Sequence, residues 1–498
     1  MKNLFKVILI AAFVSFAANA NADTSFKIKQ GLEDTVYSKK HYIVAITDPS
    51  NTAVINGTQV RVHKTGTFGT ALELKEGLNT ISISVFDKNS VKEEYYNVVY
   101  VNGPAPKRGP QPTEAEILKK IDDNTLKPCL FHIKTLPSAY LQYSDGNDRL
   151  GGSKIGFINE GIVLKVVGKI RDLYKVQLSE NRYAYLPQEY ATATEEVAKK
   201  SLTGSWSVVN AGSSDAVRIS LDSPKAFSAF TTIDPNTLCV DIFGAECNSN
   251  WMTQRQGLEI IDYVDFQQIE SDVFRAIIKL KGSKQWGYDI KYERNTLAIK
   301  VKHAPELTLD GMVIGLDAGH GGSATGAVSI TGLKEKELNL EMVYTLKRLF
   351  EKKGATVVLS RPDDRDMTMP ERKQIFKEAN PDMIISIHCN ASGSPVDPIG
   401  TSTYYKKLSD RALAESILNR LLDLGMPNFG LVGNFNFSLA AITHCPSVLV
   451  ETLFMSSMPD EEMLADASFR LKMMEKVVSG VEDYLRAIKT EEKAKKKK

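Results

Sequence analysis

Two histidines and two glutamates in the C-terminal third of the chain have the residue types of a hydrolytic metal site. His320, His388 and Glu451 each follow a short run of apolar residues, which is typical of a buried strand. Ligand sites of open α/β sheets lie at the carboxyl ends of the strands, so we expect these three side chains to converge. Two neutral imidazoles and one carboxylate, with one position left for water, are the usual ligands of catalytic zinc.

A zinc site that activates water also needs a general base or acid, and a second carboxylate is the natural group for that role. Glu335 and Glu451 are the two carboxylates that the sequence offers, and spacing does not decide which one binds metal. A charge at the end of an apolar strand, as at Glu451, is costly unless it is paired or bound. Glu335 lies among other charged residues at the start of a predicted helix, where the helix dipole favours an acid.

Two other residues offer alternative chemistry. His444 lies seven residues before Glu451 and is a possible third histidine ligand, although a role in a loop or behind the ligands suits it better. Cys389 adjoins His388 and suggests a cysteine nucleophile. Reactive cysteines usually need a helix N-terminus to lower the thiol pKa, whereas Cys389 follows a strand.

The elements that must position these residues alternate between strand and helix from about residue 308 onward. This order implies a mostly parallel sheet covered by helices, an α/β domain over 308–488 that is followed by a basic tail at 489–498. The predicted strands are 312–316, 355–359, 383–387 and 447–450, and the predicted helices are 335–353, one capped by Thr368 and Glu371, and 409–424.

The preceding residues predict three all-β modules. They cover 25–102, 128–192 and 204–303, with a linker and a short helix at 103–127. Asn56-Gly57 is a hairpin signal in the first module, and Thr113 with Glu116 forms a capping box for the short helix. The first module resembles bacterial immunoglobulin-like domains, and the second resembles bacterial SH3-type barrels.

Length and charge restrict the class of protein. The chain has 498 residues, which suggests about three or four domains. Lys plus Arg number 62 and Asp plus Glu number 60. Residues 1–22 read as a secretory signal peptide that contains Lys2 and Lys6 and no acid, so the rest of the chain is neutral. We therefore expect an exported protein, in the periplasm, the cell envelope or the medium, with no nucleic-acid partner and no stable membrane insertion.

Four motifs in order resemble the zinc-dependent N-acetylmuramoyl-L-alanine amidases. They are LDAGHGG, GLKEKELNL, SIHCNAS and PSVLVETLF, within about residues 311–487. The resemblance implies that His320, Glu335 and His388 bind one zinc ion and that Glu451 is catalytic. It also implies the substrate, peptidoglycan, and the reaction, hydrolysis of the amide between N-acetylmuramic acid and the L-alanine of the stem peptide. The third β-module resembles the β-sandwich found ahead of some cell-wall amidases, and its Cys239 and Cys247 are candidates for a disulfide.

Some positions depart from the family pattern. Ala324-Thr325 stands where the family usually has Asp-Pro, and Leu453 stands where it usually has Gly. The stretch between His388 and Glu451 lacks the long insertion that carries a self-blocking helix in some members, so we expect a site that is open without an activator. The alternative function is a non-catalytic peptidoglycan-binding or regulatory protein with a decayed enzyme domain. Retention of all four key residues favours the enzyme.

Overall fold

The structure is a computed structural model, and it describes residues 24–106, 113–146 and 150–495. The predicted signal peptide therefore lies outside the described residues, as do part of the predicted linker and the last three residues of the predicted tail. Within the described ranges the chain forms four units, three of them made of β-strands and the last of strands and helices. No helix in these ranges is both long enough and apolar enough to cross a membrane.

The first unit contains two sheets packed around one apolar core. One sheet has the order β1-β3-β6 and the other β2-β8-β7-β4-β5. Asn56 and Gly57 both have positive φ and connect β4 to β5, which confirms the predicted hairpin. The strands are β1 (Lys27–Gln30), β2 (Thr35–Val36), β3 (Lys40–Ile46), β4 (Thr52–Ile55), β5 (Thr58–Val60), β6 (Thr67–Glu73), β7 (Gly77–Phe86) and β8 (Val91–Tyr100).

A short helix, α1 (Glu114–Asp123), precedes the second unit, and the predicted capping box is present at its start. The second unit is an antiparallel sheet of seven strands in the order β11-β10-β14-β13-β12-β9-β15. Its core is shared with the third unit, because three residues of that unit pack into it (Ala226, Phe243 and Val273). The strands are β9 (Lys127–Thr135), β10 (Tyr140–Gln142), β11 (Lys154–Phe157), β12 (Val163–Ile170), β13 (Leu173–Gln177), β14 (Tyr183–Pro187) and β15 (Ala191–Thr194).

The third unit is a sandwich of two sheets. One has the order β20-β16-β17-β25-β24 with β21 paired to β16, and the other has the order β18-β19-β23-β22. Cys239 and Cys247 are both free thiols, so the proposed disulfide is not formed. The reason is strand alternation: Leu238 and Val240 face the core of the sandwich, which turns Cys239 away from it, whereas Cys247 packs against that core.

The strands of this sandwich are β16 (Ser201–Asn210), β17 (Ser214–Leu221), β18 (Phe227–Ile233), β19 (Asn236–Phe243), β20 (Ala245–Glu246), β21 (Met252–Gln254), β22 (Ile261–Glu270), β23 (Val273–Leu280), β24 (Tyr288–Glu293) and β25 (Thr296–Lys302).

The fourth unit is one six-stranded sheet with helices packed against it. The strand order is β27-β26-β28-β31-β29-β30. Four neighbouring pairs are parallel, and β29 with β31 is antiparallel, so the sheet is mixed and the expectation of a mostly parallel sheet is only partly confirmed. The strands are β26 (Val313–Ala318), β27 (Thr356–Leu359), β28 (Met383–Asn390), β29 (Thr401–Tyr405), β30 (Asn428–Val432) and β31 (Ser447–Phe454).

Five helices accompany this sheet. They are α2 (Glu335–Glu351), α3 (Met369–Ala379), α4 (Arg411–Leu422), α5 (Met458–Ala465) and α6 (Ala467–Lys495). The last helix extends to Lys495, through most of the predicted basic tail. Glu, Lys and Ala are good helix formers, and they allow α6 to continue beyond its last apolar contact at Ile488.

All three β-units contact the fourth unit. Trp286 of the third unit is buried in the core of the fourth, with its ring centroid 6.1 Å from that of Tyr484. In the first unit, His63 Nδ1 lies 2.8 Å from a carboxylate oxygen of Glu462 on α5. In the second unit, the backbone around Gly152 accepts hydrogen bonds from Asn436. Each of the three β-units therefore packs against or hydrogen-bonds to the fourth unit.

Candidate metal and catalytic site

His320 lies in the loop that leaves β26, and its backbone has a positive φ of 61°. A non-glycine residue adopts this conformation only where its surroundings hold it. Two buried arginines provide that restraint. Arg372 donates to the carbonyl of His320 at 2.5 Å, and Arg361 donates to the carbonyls of Ala318 at 2.9 Å and Gly319 at 3.1 Å.

Arg372 also forms a buried ion pair with Asp317, 2.6 Å from Nη1 to Oδ1, directly below the loop. Both arginines belong to the scaffold of the site, since they donate to backbone carbonyls of the loop. The scaffold role is specific: these two guanidinium groups fix the loop that carries the first histidine.

Glu335 is the first residue of α2, and its side chain is 4% exposed. One carboxylate oxygen lies 3.0 Å from His320 Nε2, and the other lies 3.0 Å from His388 Nδ1. The backbone N–H groups of Ala327 and Cys389 also donate to this carboxylate, at 2.9 and 3.1 Å. Burial acts to raise the pKa of Glu335, but the hydrogen bonds from the two histidines outweigh it and hold the pKa well below its usual value. The side chain is thus an ionised, fixed carboxylate.

His388 lies on β28, with its imidazole against that of His320 at a centroid distance of 5.1 Å. Burial acts to lower the pKa of His388, but its hydrogen bond with Glu335 and the nearby charge of Glu451 raise it overall. Its second ring nitrogen, Nε2, is buried and has no hydrogen-bond partner among the described residues. A buried nitrogen of this kind needs a ligand, because desolvation without a hydrogen bond is unfavourable.

The structure brings His320, Glu335 and His388 together, with one ligand atom from each lying within 4.8 Å of the others. Close packing around the three requires glycine at two positions. A Cβ atom at Gly319 would lie 2.2 Å from the His388 ring, and one at Gly326 would lie 2.4 Å from the Glu335 carboxylate. Two imidazoles, one of them with the unpartnered Nε2 of His388, and one carboxylate form a donor set that fits zinc.

Glu451 lies on β31 in direct register with His388 on the neighbouring strand β28. Residues in register on adjacent strands present their side chains on the same face of a sheet, which places the Glu451 carboxylate beside the His388 imidazole. The sequence predicted that the strand would end before Glu451. Instead it continues to Phe454, because Thr452, Leu453 and Phe454 are buried again and β29 pairs alongside.

His444 does not belong to the group of metal-binding side chains. It lies where the third unit packs on the fourth, and a Cβ atom at Gly287 would lie 2.3 Å from its carbonyl carbon. Burial and the charges of Lys407 and Lys302 lower the pKa of His444 to about 4. A neutral, packed imidazole at this contact supports the view that His444 is not a ligand.

Cys389 is buried, and burial raises the pKa of its thiol well above the usual value. Its sulfur lies 3.3 Å from the hydroxyl of Thr452 and 3.6 Å from the side-chain oxygen of Asn339. The hydrogen bond with Thr452 and the charge of Arg470 act to lower this pKa, but burial and the nearby charge of Glu335 outweigh them. A thiolate is therefore disfavoured, and the cysteine-nucleophile alternative has no support.

Two contributors were missed in the sequence. Asn339 donates to Glu335 at 3.2 Å and to the carbonyl of Gly319 at 3.3 Å, and its position four residues after Glu335 on one helix was the available signal. Phe437 lies edge-on to the His388 ring at a centroid distance of 5.8 Å. Its loop has no regular pattern, and only the fold shows that it borders the site.

Comparison with known proteins gives a family for the fourth unit and another for the third. A family described as N-acetylmuramoyl-L-alanine amidase matches residues 314–483, and the AMIN domain family matches residues 207–301. The N-acetylmuramoyl-L-alanine amidase LytC of Bacillus subtilis (strain 168) is 34% identical over 199 residues, which are 39% of this chain and 40% of LytC. The uncharacterized protein YqiI of the same organism is 31% identical over 180 residues, 35% of this chain and 86% of YqiI.

Among solved structures, the catalytic domain of CwlV, an amidase from Bacillus (Paenibacillus) polymyxa var. colistinus, is 30% identical. The match covers 35% of this chain and 98% of that one, with a TM-score of 0.34. The present chain therefore spans less than half the length of LytC but nearly all of the CwlV catalytic domain. By its fourth unit, the chain belongs to the N-acetylmuramoyl-L-alanine amidase family, and its third unit contains an AMIN domain.

Proposed function

We propose that this protein hydrolyses peptidoglycan at the amide between the lactyl group of N-acetylmuramic acid and the L-alanine of the stem peptide, using water activated by zinc. The observation that carries the proposal is the meeting of His320, Glu335 and His388 with Glu451 in register beside them. Family membership supplies the reaction type, and the names of relatives such as LytC supply the substrate.

Glu335, not Glu451, is the carboxylate that we assign to the metal. Its carboxylate lies between the two histidines and accepts hydrogen bonds from backbone N–H groups. It therefore has little freedom to take up a proton and release it to the substrate. His320 and His388 complete the set of residues that would hold zinc. When bound there, zinc supplies a Lewis acid and lowers the pKa of a water molecule toward about 7.

Glu451 is the residue that we assign to proton transfer. It lies beside His388 but outside the ligand group, and its side chain is only partly buried. In this role its carboxylate takes a proton from the attacking water and passes it to the departing alanine nitrogen. Arg361 and Arg372 hold the loop of His320 in place while this occurs.

The remaining units suit a role in the cell envelope. We propose that residues 1–22 direct export and that the AMIN domain and the second unit, whose sequence resembles SH3-type barrels, bind the cell wall. The chain retains all four of the residues that we assign to the site, which argues against the alternative of a decayed, non-catalytic binding protein. The segment between His388 and Glu451 contains β29, α4 and β30 but no long blocking insertion, which supports a site that is open without an activator.

The test is digestion of purified peptidoglycan, with and without a zinc chelator, followed by mass analysis of the products. We expect free stem peptides that begin with L-alanine, and their loss on chelation. Intact wall with protein bound to it would instead support the non-catalytic alternative. Activity that appears only after a partner protein is added would contradict the open site.

A variant separates proton transfer from metal binding. Glu451→Gln should bind one zinc ion per chain and lose about 100-fold or more in rate, because general acid–base catalysis contributes about that much. Glu337→Gln, an exposed glutamate at the start of α2, is the matched control and should keep its rate. Full activity in Glu451→Gln would refute the proton-transfer assignment.

A further inference from the structure

Three lysines with no carboxylate partner meet where the second unit contacts the fourth. Lys154 lies on β11, Lys373 on α3 and Lys406 directly after β29. None of the three forms an ion pair with any residue in the described ranges, although many other lysines and arginines there do. All three are only partly exposed, so their charges are incompletely hydrated.

Two of the three lysines contact one aromatic pair, and the third contacts a neighbouring loop. Tyr140 and Phe157 stack edge to face at 5.9 Å, with the Lys154 ammonium 5.1 Å from the Tyr140 centroid and the Lys373 ammonium 4.3 Å from the Phe157 centroid. Lys406 donates to the side chain of Asn434 at 2.8 Å. Burial lowers the pKa of all three, and for Lys373 and Lys406 the charge of Lys154 lowers it further.

The same loop connects this cluster to the metal site. Asn436 donates to the carbonyl of Gly152 at 2.9 Å and accepts from the backbone N–H of Lys154 at 3.3 Å. The next residue, Phe437, borders the ring of His388. The cluster of Lys154, Lys373 and Lys406 is therefore separated from a proposed zinc ligand by a single loop, which the second unit holds in place.

Gathering like charges in a partly dehydrated place is unfavourable unless a ligand of opposite charge compensates for it. The proposed reaction supplies such a ligand. A stem peptide bonded through its N-terminus to the lactyl group ends in a free carboxylate. Each residue extends such a peptide by up to about 3.5 Å, so a few residues span the width of a loop.

We propose that Lys154, Lys373 and Lys406 form a subsite for a carboxylate of the stem peptide, so that the second unit contributes directly to substrate binding. This inference rests on the proposed function, since it takes the peptide to be part of the substrate. The second unit then forms one side of the substrate-binding site, in addition to any separate binding of the cell wall.

The test compares two N-acetylmuramoyl peptides that differ only at the C-terminus, one a carboxylate and the other a carboxamide, using the full-length zinc-loaded protein. Loss of one charge-assisted contact corresponds to about a tenfold change, so we expect a KM about tenfold lower for the carboxylate. Lys154→Gln, Lys373→Gln and Lys406→Gln combined should remove this preference, so that the two peptides have the same KM. Equal KM values in the wild type, or a preference that survives in the triple variant, would overturn the proposal.

The control removes three charges from elsewhere. Lys169→Gln, Lys291→Gln and Lys472→Gln combined change exposed lysines and should keep the tenfold preference. Loss of the preference in this control would show an effect of net charge and overturn the subsite. If the triple variant fails to fold, as judged by circular dichroism, each single substitution is measured and should reduce the preference in part. A full preference in all three would refute the subsite.

Calorimetry with the free peptides separates this proposal from the proposed function. Binding that prefers the carboxylate and requires the three lysines, without cleavage of either substrate, would refute the amidase activity and retain the subsite. Cleavage of both substrates with no difference in binding would support the amidase activity and refute the subsite. Inorganic phosphate serves as the competing anion. If it displaces the peptide at concentrations below those at which the peptide binds, the cluster is a phosphate site and the peptide assignment is wrong.

Discussion

Replacing Gly319 with alanine tests whether the backbone before His320 was selected to make room for the ring of His388. A Cβ atom at this position would lie 2.2 Å from His388 Cε1, 2.4 Å from Nε2 and 2.5 Å from Nδ1. All three atoms belong to the proposed zinc ligand, so the added methyl group would strike the ring itself and not a flexible side-chain end. The ring cannot stay where it is.

The size of the effect follows from the overlap. Carbon atoms rest about 3.5 Å or more apart, so the ring must retreat by about 1 Å. Metal sites tolerate deviations of about 0.2 Å in ligand distance, so a shift of this size removes His388 from a productive position. We expect zinc affinity to fall by about 100-fold or more, since even the loss of an outer hydrogen-bond partner of a ligand costs 10–100-fold.

Zinc affinity is measured by competition with a chelator of known affinity, and stability by denaturant unfolding of the metal-free protein. Gly315→Ala, on β26, is the matched control, because its Cβ atom would meet Phe376 at 2.9 Å and Ile384 at 3.0 Å in the apolar core. Overpacking there should cost about 1–3 kcal/mol of stability and leave zinc affinity unchanged. Wild-type zinc affinity in Gly319→Ala would refute the assignment of His388 as a ligand held against this glycine.

Two further predictions concern the support of the site. Arg372→Met leaves the fully buried Asp317 without its ion-pair partner, so the free energy of unfolding should fall by about 3–5 kcal/mol in denaturant titrations, and a loss below about 1 kcal/mol would contradict the role assigned to this pair. The folded-state pKa of Glu335 is lowered from 4.5. Its contribution to the stability of the metal-free protein is therefore present above pH 4.5 and is lost as the pH falls toward the lowered pKa. Unfolding free energy measured between about pH 6 and 3 should therefore decline less in Glu335→Gln than in the wild type, and equal declines would contradict the pKa direction.

The site could be predicted from sequence because its residues lie close to strands and helix starts with strong patterns. His320 and His388 are associated with apolar strands, and Glu335 begins a helix of clear periodicity. What the pattern could not decide was which glutamate lies with the two histidines. The structure places Glu335 between the two imidazoles, a contact between residues that are far apart in the chain.

The fold was less completely predicted, and one strand of the fourth unit shows why. β29 reads TSTYY and lacks the apolar alternation of a strand, although its residues are mostly buried against β31. It was therefore missed, and with it the antiparallel pair that makes the sheet mixed. The helix α6 did have a signal, since Met473, Val477, Val481, Tyr484 and Ile488 are buried at helical spacing.

Contacts between units were beyond the reach of sequence patterns. Trp286 reads as a core residue of the third unit, yet it is buried in the core of the fourth. Asn436 reads as part of a polar loop, yet its side chain joins the second unit to the loop beside His388. A pattern shows that a residue is to be buried or hydrogen-bonded, but the partner is set by tertiary packing.

The net charge of the chain likewise does not show which charged residues come together, and this bears on how the substrate is recognised. A nearly neutral chain excludes strong long-range steering, which depends on the summed charge. A neutral chain does not exclude recognition by a local group of charges. Charges in water are screened beyond about 8 Å, so a bound ligand responds mainly to the charges nearest to it. Lys154, Lys373 and Lys406 come from distant parts of the chain, and only the contact between the second and fourth units gathers them. If the carboxylate subsite is correct, separating these units would raise KM for the charged peptide while leaving the zinc ligands intact.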